Sequence, residues 1–106
     1  MDTKKLVERV KAILCTLNTQ EKRYETAWLS LVDDLTGREL YVLHVKAEHY
    51  IPSCYDELRF LIKLLRAQLD LPFLAMIARI VVYNSNEEAH CWSEDLVLFE
   101  DAAVCQ

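Results

Sequence analysis

Apolar side chains recur every three or four residues near the start of the chain, which is the spacing of one face of a helix. The apolar positions are Leu6, Val7, Val10, Ile13, Leu14 and Leu17. Thr3 is a suitable N-cap because its hydroxyl can accept a hydrogen bond from an amide of the first turn. The pattern predicts an amphipathic helix over residues 4–18, ended by the polar run 18–20.

Residues 19–36 fit two interpretations. In the first, Gly37 ends a helix whose apolar face would comprise Tyr24, Ala27, Trp28, Leu31, Val32 and Leu35. In the second, residues 27–33 and 39–46 pair as a β-hairpin. The turn between these strands begins with aspartate and ends with Gly37, which suits a type I turn followed by a glycine bulge.

Two features favour the hairpin. Asp33 and Asp34 would oppose the dipole of a helix at its C-terminus, where cations are preferred. Residues 40–45 are apolar on both alternating faces, which is typical of a central strand. We therefore expect a hairpin over residues 27–46.

A second amphipathic helix is predicted over residues 54–70, opened by Pro52 and Ser53 and ended by Pro72. Its broad core stripe comprises Tyr55, Leu58, Leu61, Ile62, Leu65 and Leu69. A second apolar row has the spacing of a coiled-coil seam and comprises Phe60, Leu64, Ala67 and Leu71. A surface helix needs only one apolar stripe. The second row therefore indicates cover from another side, either by the first helix or by another protein chain.

The last third of the chain predicts strands. Residues 76–84 contain a β-branched run followed by an Asn-Ser-Asn turn. Residues 89–99 predict one or two further strands, with 96–99 as their strongest part. A helix competes there because Ser85 and Glu88 can form a capping box, and because helical spacing links Ala89, Trp92, Leu96 and Phe99. Residues 101–106 have the character of a tail.

The resulting element order is α-β-β-α-β-β, with one more strand as an option. An antiparallel sheet with two helices on one face would bury this pattern, so we expect an α+β fold in a single domain over residues 1–106. An all-α fold is the alternative because leucine is abundant and glycine occurs once. In element order alone, the chain resembles the roadblock-type and profilin-like dimerising domains and small acidic secretion chaperones. That resemblance assigns no functional residues.

The charge of the chain limits its partners. Twelve basic and seventeen acidic residues give a net charge of −5. Nucleic-acid binding depends on clustered lysines and arginines, and no basic run exceeds two residues, so a nucleic-acid partner is not expected. Runs without a charged residue fall well short of the ~18 residues of a membrane span, so no membrane partner is expected either.

Cysteine usage bears on the compartment. Cys15, Cys54, Cys91 and Cys105 form no CxxC pair and are separated by long, uneven gaps. Residues 1–17 carry charges every few positions, unlike a secretory signal. We therefore expect free thiols in a reducing, cytoplasmic compartment, with Cys15 exposed on the polar face of the first helix.

His44, His49 and Cys54 have the spacing H-x4-H-x4-C and are the candidates for chemistry. Zinc is held by such side chains in a tetrahedral array. A helix N-terminus can also lower the pKa of a thiol such as Cys54 and activate it as a nucleophile. The usual metal spacings are absent and Pro52 interrupts the geometry. A metal-binding module or small enzyme is therefore the alternative function, and no metal or other cofactor is expected.

Paired acids at predicted turns and a net acidic surface are typical of a soluble binding domain. We expect a small protein-binding domain of the adaptor, chaperone, inhibitor or immunity type, homodimeric and not an enzyme. The predicted contact surface is the second apolar row, Phe60, Leu64, Ala67 and Leu71. The identity of the partner does not follow from the sequence.

Overall fold

The computed structural model describes residues 3–21, 23–33, 37, 39–89 and 91–100. Its elements are α1 (Thr3–Gln20), β1 (Tyr24–Asp33), β2 (Glu39–Ala47), α2 (Cys54–Gln68), the single-turn α3 (Leu71–Leu74), β3 (Ile77–Tyr83) and β4 (Leu96–Phe99). The α+β class is confirmed and the all-α alternative is wrong.

The predicted hairpin is confirmed, because β1 and β2 pair antiparallel along their whole length. Gly37 has a φ of 78°, a left-handed conformation that glycine adopts without the steric cost of a Cβ. The other residues of the predicted turn, 34–36, and the predicted tail, 101–106, lie outside the described residues.

The sheet has the order β3-β2-β1-β4, and its pairing differs from the expectation at one place. β4 pairs antiparallel with β1, whereas β2 and β3 are parallel, so the prediction of a purely antiparallel sheet is wrong. The physical reason is the crossover: α2 carries the chain from the end of β2 back to the end of the sheet where β2 began. The alternative prediction of a helix over residues 85–99 is also wrong, because residues 96–99 form a strand.

Both long helices cover the same face of the sheet, as expected. Along β2, Tyr41, Leu43 and Val45 are buried beneath the helices, while the alternate residues are half-buried on the opposite face. The core that results comprises Leu6, Val10 and Leu14 from α1, Leu61 and Leu65 from α2, and Ala27, Leu29, Tyr41, Leu43 and Val45 from the hairpin, among others. These positions lie on one face of each element, so a single core holds the helices against the sheet.

A buried amide closes the corner between α1 and β1. The Oδ1 atom of Asn18 accepts hydrogen bonds from the backbone N–H groups of Arg23 (3.1 Å) and Tyr24 (3.0 Å). Its Nδ2 atom donates to the carbonyl oxygen of Tyr24 (3.0 Å). The side chain thereby satisfies backbone groups that would otherwise be buried without partners.

A buried carboxylate fixes the start of α2 to the start of β1. Glu57, 7% exposed, accepts hydrogen bonds from Nε (2.7 Å) and Nη2 (3.0 Å) of Arg23 and from the hydroxyl of Tyr24. The Arg23 guanidinium also lies 4.0 Å from the ring centroid of Phe60. Burial, followed by the hydrogen bond to Glu57, raises the pKa of Tyr24, so the phenol stays protonated and donates.

A second anchor holds the loop before α2 to the end of β3. The buried Asn84 accepts from the N–H of Ile51 (3.0 Å) and donates to its carbonyl oxygen (2.8 Å). Ser53 then caps α2, with its Oγ accepting from the N–H of Asp56 (3.2 Å). The first turn of α2 is thus held both to β1 and to β3.

The cysteine prediction is partly wrong. Cys54 and Cys91 are free, but Cys15 is half-buried and disulfide-bonded, not an exposed thiol. Helical periodicity placed Cys15 on the polar side of α1, whereas its side chain packs against the margin of the core. Cys105 lies outside the described residues.

The Glu57 cluster generates a stability prediction. Glu57→Ala should lower the free energy of unfolding by about 3 kcal/mol, because it leaves a partly buried guanidinium and a buried phenol without their acceptor. Glu21→Ala is the matched control: it removes the other carboxylate bonded to Arg23, but Glu21 is exposed, so its loss should cost less than ~1 kcal/mol. Urea denaturation of both variants measures the difference. Equal losses would contradict a central role for Glu57.

Candidate functional site

The main candidate site is a groove between α2 and β3, here called the β3 groove. It consists of two adjoining clefts of about 330 Å³ and 220 Å³ that share Arg79 and Ile80. α2 lines it with Tyr55, Leu58, Ile62 and Arg66, and β3 lines it with Ile77, Arg79, Ile80 and Val82.

β3 forms an open edge of the sheet beside this groove. Within the described part of the chain it pairs only with β2, on one side. Its seven residues, Ile77–Tyr83, include four β-branched side chains, and none is a proline, a glycine or a lysine. Natural edge strands are commonly protected by prolines, charged side chains, bulges or a short length. β3 has one charged side chain, Arg79, and one irregularity in its pairing with β2, and the rest of the strand is apolar. Its outward peptide groups are therefore suited to pairing with another strand.

The α2 side of the groove corrects the predicted core stripe. Of its six residues, Leu61, Leu65 and Leu69 are buried, but Leu58 and Ile62 are half-buried and Tyr55 is 65% exposed. The reason is that β3 is the outermost strand among the described residues, so none of them forms a further strand beneath this side of α2. The residues that helical spacing assigned to the core instead form one wall of an open groove.

The larger cleft is bordered by positive charge although the chain is acidic. Arg66 and Arg79 both border it, and among the described residues no carboxylate lines either cleft, while Glu87 acts electrostatically on Cys54 in the smaller one. Both arginines are exposed, and neither forms an ion pair with any residue in the described part of the chain. Arg59 lies 5.8 Å from the ring centroid of Tyr55, which adds a third cation near the groove.

A polar and aromatic cluster occupies the face of the sheet opposite the helices. The hydroxyl of Ser30 lies 2.8 Å from Nε2 of His44, and Nδ1 of His44 lies 3.1 Å from the hydroxyl of Tyr83. The indole of Trp28 stacks on the His44 ring at 4.9 Å, and the ring of Tyr83 stacks beside them. These contacts join β1, β2 and β3 side by side.

The Ser30–His44–Tyr83 chain has the order of a nucleophile, a base and an orienting group. The imidazole is stacked face to face with Trp28, which is only 2% exposed, and both of its nitrogens are engaged with hydroxyls. The clefts of the β3 groove are lined by other residues. The geometry therefore accounts for cross-strand packing of these half-buried side chains.

The residues predicted for metal binding or catalysis are not brought together. His44 lies in the sheet on the face away from the helices, His49 is exposed after β2, and Cys54 begins α2 and lines the β3 groove. The described residues contain no group of three potential ligands. Burial raises the pKa of the Cys54 thiol, which is the opposite of the lowering that a helix N-terminus predicts.

The predicted contact row is split along its length. Phe60 and Leu64 are half-buried and pack against the core, with Arg23 covering the ring of Phe60. Ala67 and Leu71 are exposed, Leu71 to 78%. Part of the row is thus covered within the chain, and its C-terminal end remains available to another chain. The homodimer stays a prediction.

The sequence interpretation missed Arg66, Arg79 and Ile80 as groove residues. The β-branched run 80–82 was a usable signal for an apolar strand, but the edge position of that strand depends on the order of the sheet.

No match to the chain was found among protein-family models, curated proteins or solved structures. Among the described residues, no helix has both the length and the apolar character needed to cross a membrane.

The His44 cluster predicts a pH dependence of stability. Burial is the main cause of the lowered pKa of His44; Arg79 lowers it further and Asp95 opposes the shift. A lowered pKa means that the fold favours neutral imidazole, so stability should fall as the pH drops below ~6.5, the value of an unfolded histidine. Urea denaturation should show this loss in the native chain and in His49→Gln, an exposed control. His44→Gln should reduce it, and an unchanged pH profile in His44→Gln would contradict this role.

The contact row generates a test of oligomeric state. If a second chain covers the row, light scattering should detect a dimer, and Leu71→Glu should convert it to a folded monomer whose melting temperature does not depend on protein concentration. Leu64→Glu should also lower the melting temperature, because Leu64 packs against the core. A monomeric native chain, or a dimer that withstands Leu71→Glu, would contradict the predicted contact surface.

Proposed function

We propose that this chain is a protein-binding domain that takes up an extended segment of a partner protein along the free edge of β3. The observation that carries the proposal is the open, apolar edge strand beside the exposed side of α2. Strand addition is a common mode of peptide recognition, in which main-chain hydrogen bonds give affinity and neighbouring pockets give specificity.

Each part of the β3 groove has a role in this mode. The outward peptide groups of β3 supply donors and acceptors for the main chain of the partner. Alternate side chains of an added strand point to one face of the sheet. Those on the helix side would enter the cleft between Ile62 and Ile80, where burial of apolar surface favours binding. Tyr55 would cover one end of the added strand, since it lines the second cleft.

The proposal is for binding without catalysis. It is supported by the contacts of both His44 nitrogens with hydroxyls of neighbouring strands and by the separation of His44, His49 and Cys54. A cytoplasmic location stays a prediction. Because Cys15 is disulfide-bonded, free thiols no longer support a cytoplasmic location.

Strand addition makes a prediction that side-chain docking does not. Peptides selected from a random library on the native chain should lose binding when backbone N-methyl groups are placed at every second residue. Methylation of the intervening residues should have little effect, because only one edge of an added strand pairs with β3. Fluorescence anisotropy of labelled peptides measures both series. Similar losses in the two series would contradict strand addition.

Matched tyrosine variants locate the binding surface. Tyr55 and Tyr50 are similarly exposed, at 65% and 67%, but only Tyr55 lines the β3 groove. Tyr55→Glu should weaken peptide binding about tenfold or more, since aromatic anchors in a pocket commonly contribute over ~1.4 kcal/mol. Tyr50→Glu should leave binding unchanged. Equal effects of the two variants would place the binding surface elsewhere.

A further inference from the structure

The charge of the β3 groove identifies the chemistry of its occupant. We infer that the segment bound there is acidic as well as apolar, and that its carboxylates pair with Arg66 and Arg79. This inference rests on the proposed docking of an extended segment at the same groove.

The two arginines are placed to meet one segment. Arg66 lines the cleft of about 330 Å³ from α2, whereas Arg79 borders it from β3 with its side chain on the other face of the sheet, toward His44 and Tyr83. A strand lying along β3 would therefore have a guanidinium on each side. Arginine binds carboxylates through a planar pair of N–H donors, which gives direction as well as attraction.

The surroundings strengthen such a pair. The floor of the cleft contains Ile62, Ile77 and Ile80, so a carboxylate bound to Arg66 would be partly removed from water. Charge pairs gain more from their attraction when solvent is excluded. In the unbound chain, neither arginine has an acidic partner among the described residues, so no existing ion pair must be broken first.

A second copy of the chain is a poorer occupant of this groove. A two-fold interface places the same surface on both sides. Pairing two β3 grooves would bring four arginines together with no carboxylate among the lining residues. Like charges across an interface oppose association, whereas a partner of opposite charge is favoured.

The test uses two short fluorescein-labelled peptides of alternating valine and threonine. One carries two central glutamates and the other carries two glutamines of the same shape. At low salt the glutamate peptide should bind the native chain about tenfold more tightly or better, as expected for hydrogen bonds between charged groups. The difference should shrink at ~1 M salt, where exposed charges are screened.

Charge-removal variants complete the test. The double variant Arg66→Gln/Arg79→Gln should bind both peptides equally, while Lys63→Gln, which removes an exposed charge of α2 outside the groove, should keep the preference. Both arginines are exposed, so the double variant should fold, and circular dichroism checks this.

Three results would overturn the inference. Equal binding of the two peptides, with the alternating effect of N-methylation retained, would remove the acidic requirement and leave the proposed function standing. If neither peptide binds and the library yields no groove-dependent peptide, both the acidic requirement and the proposed function would be contradicted. A native dimer that Tyr55→Glu converts to a monomer would show that a second copy occupies the groove.

Discussion

The buried carboxylate of Glu57 is the contact on which the arrangement of the helices depends. It links the first turn of α2 to Arg23 and Tyr24, at the point where α1 turns into β1. Tyr24 is also paired with Ala47 at the end of β2, so one carboxylate connects the beginning of α2 to both strands of the hairpin. Removing only the acceptor from such a site destabilises the fold more than replacing the whole pair by apolar side chains would. The reason is that a buried charge is then left without a partner.

The position of α2 explains why the molecule has a groove. Glu57 holds the helix to β1, and Asn84 holds the preceding loop to the end of β3. On the α1 side, α2 packs against the core through Phe60 and Leu64. On the other side the sheet ends at β3, so the apolar side of α2 faces an unpaired strand edge. The same geometry gives the molecule both a well-packed core and an incomplete surface.

Local patterns were sufficient to predict most elements along the chain but insufficient to predict the order and direction of the strands in the sheet. The stripe of α1 and the pairing of β1 with β2 as a hairpin depend on neighbouring residues, and both predictions are correct. The parallel pairing of β2 with β3 depends on a crossover of about thirty residues, which periodicity does not encode. Helical spacing shows which side of α2 Tyr55 and Ile62 lie on, so both were assigned to the core. It does not show whether the sheet is wide enough to cover that side. Glu57 lies in the polar pattern of a first helical turn, so its burial could not be predicted from spacing.

The central claim is that β3 accepts another strand, and amide hydrogen exchange measures this directly. Exchange is followed by NMR in the free chain and in the presence of a saturating peptide that binds the β3 groove. The account predicts that outward-facing amides within Ile77–Tyr83 exchange readily in the free chain and become strongly protected when the peptide is bound. Protection confined to α2, with the exchange of β3 unchanged, would contradict strand addition and leave only side-chain docking in the groove.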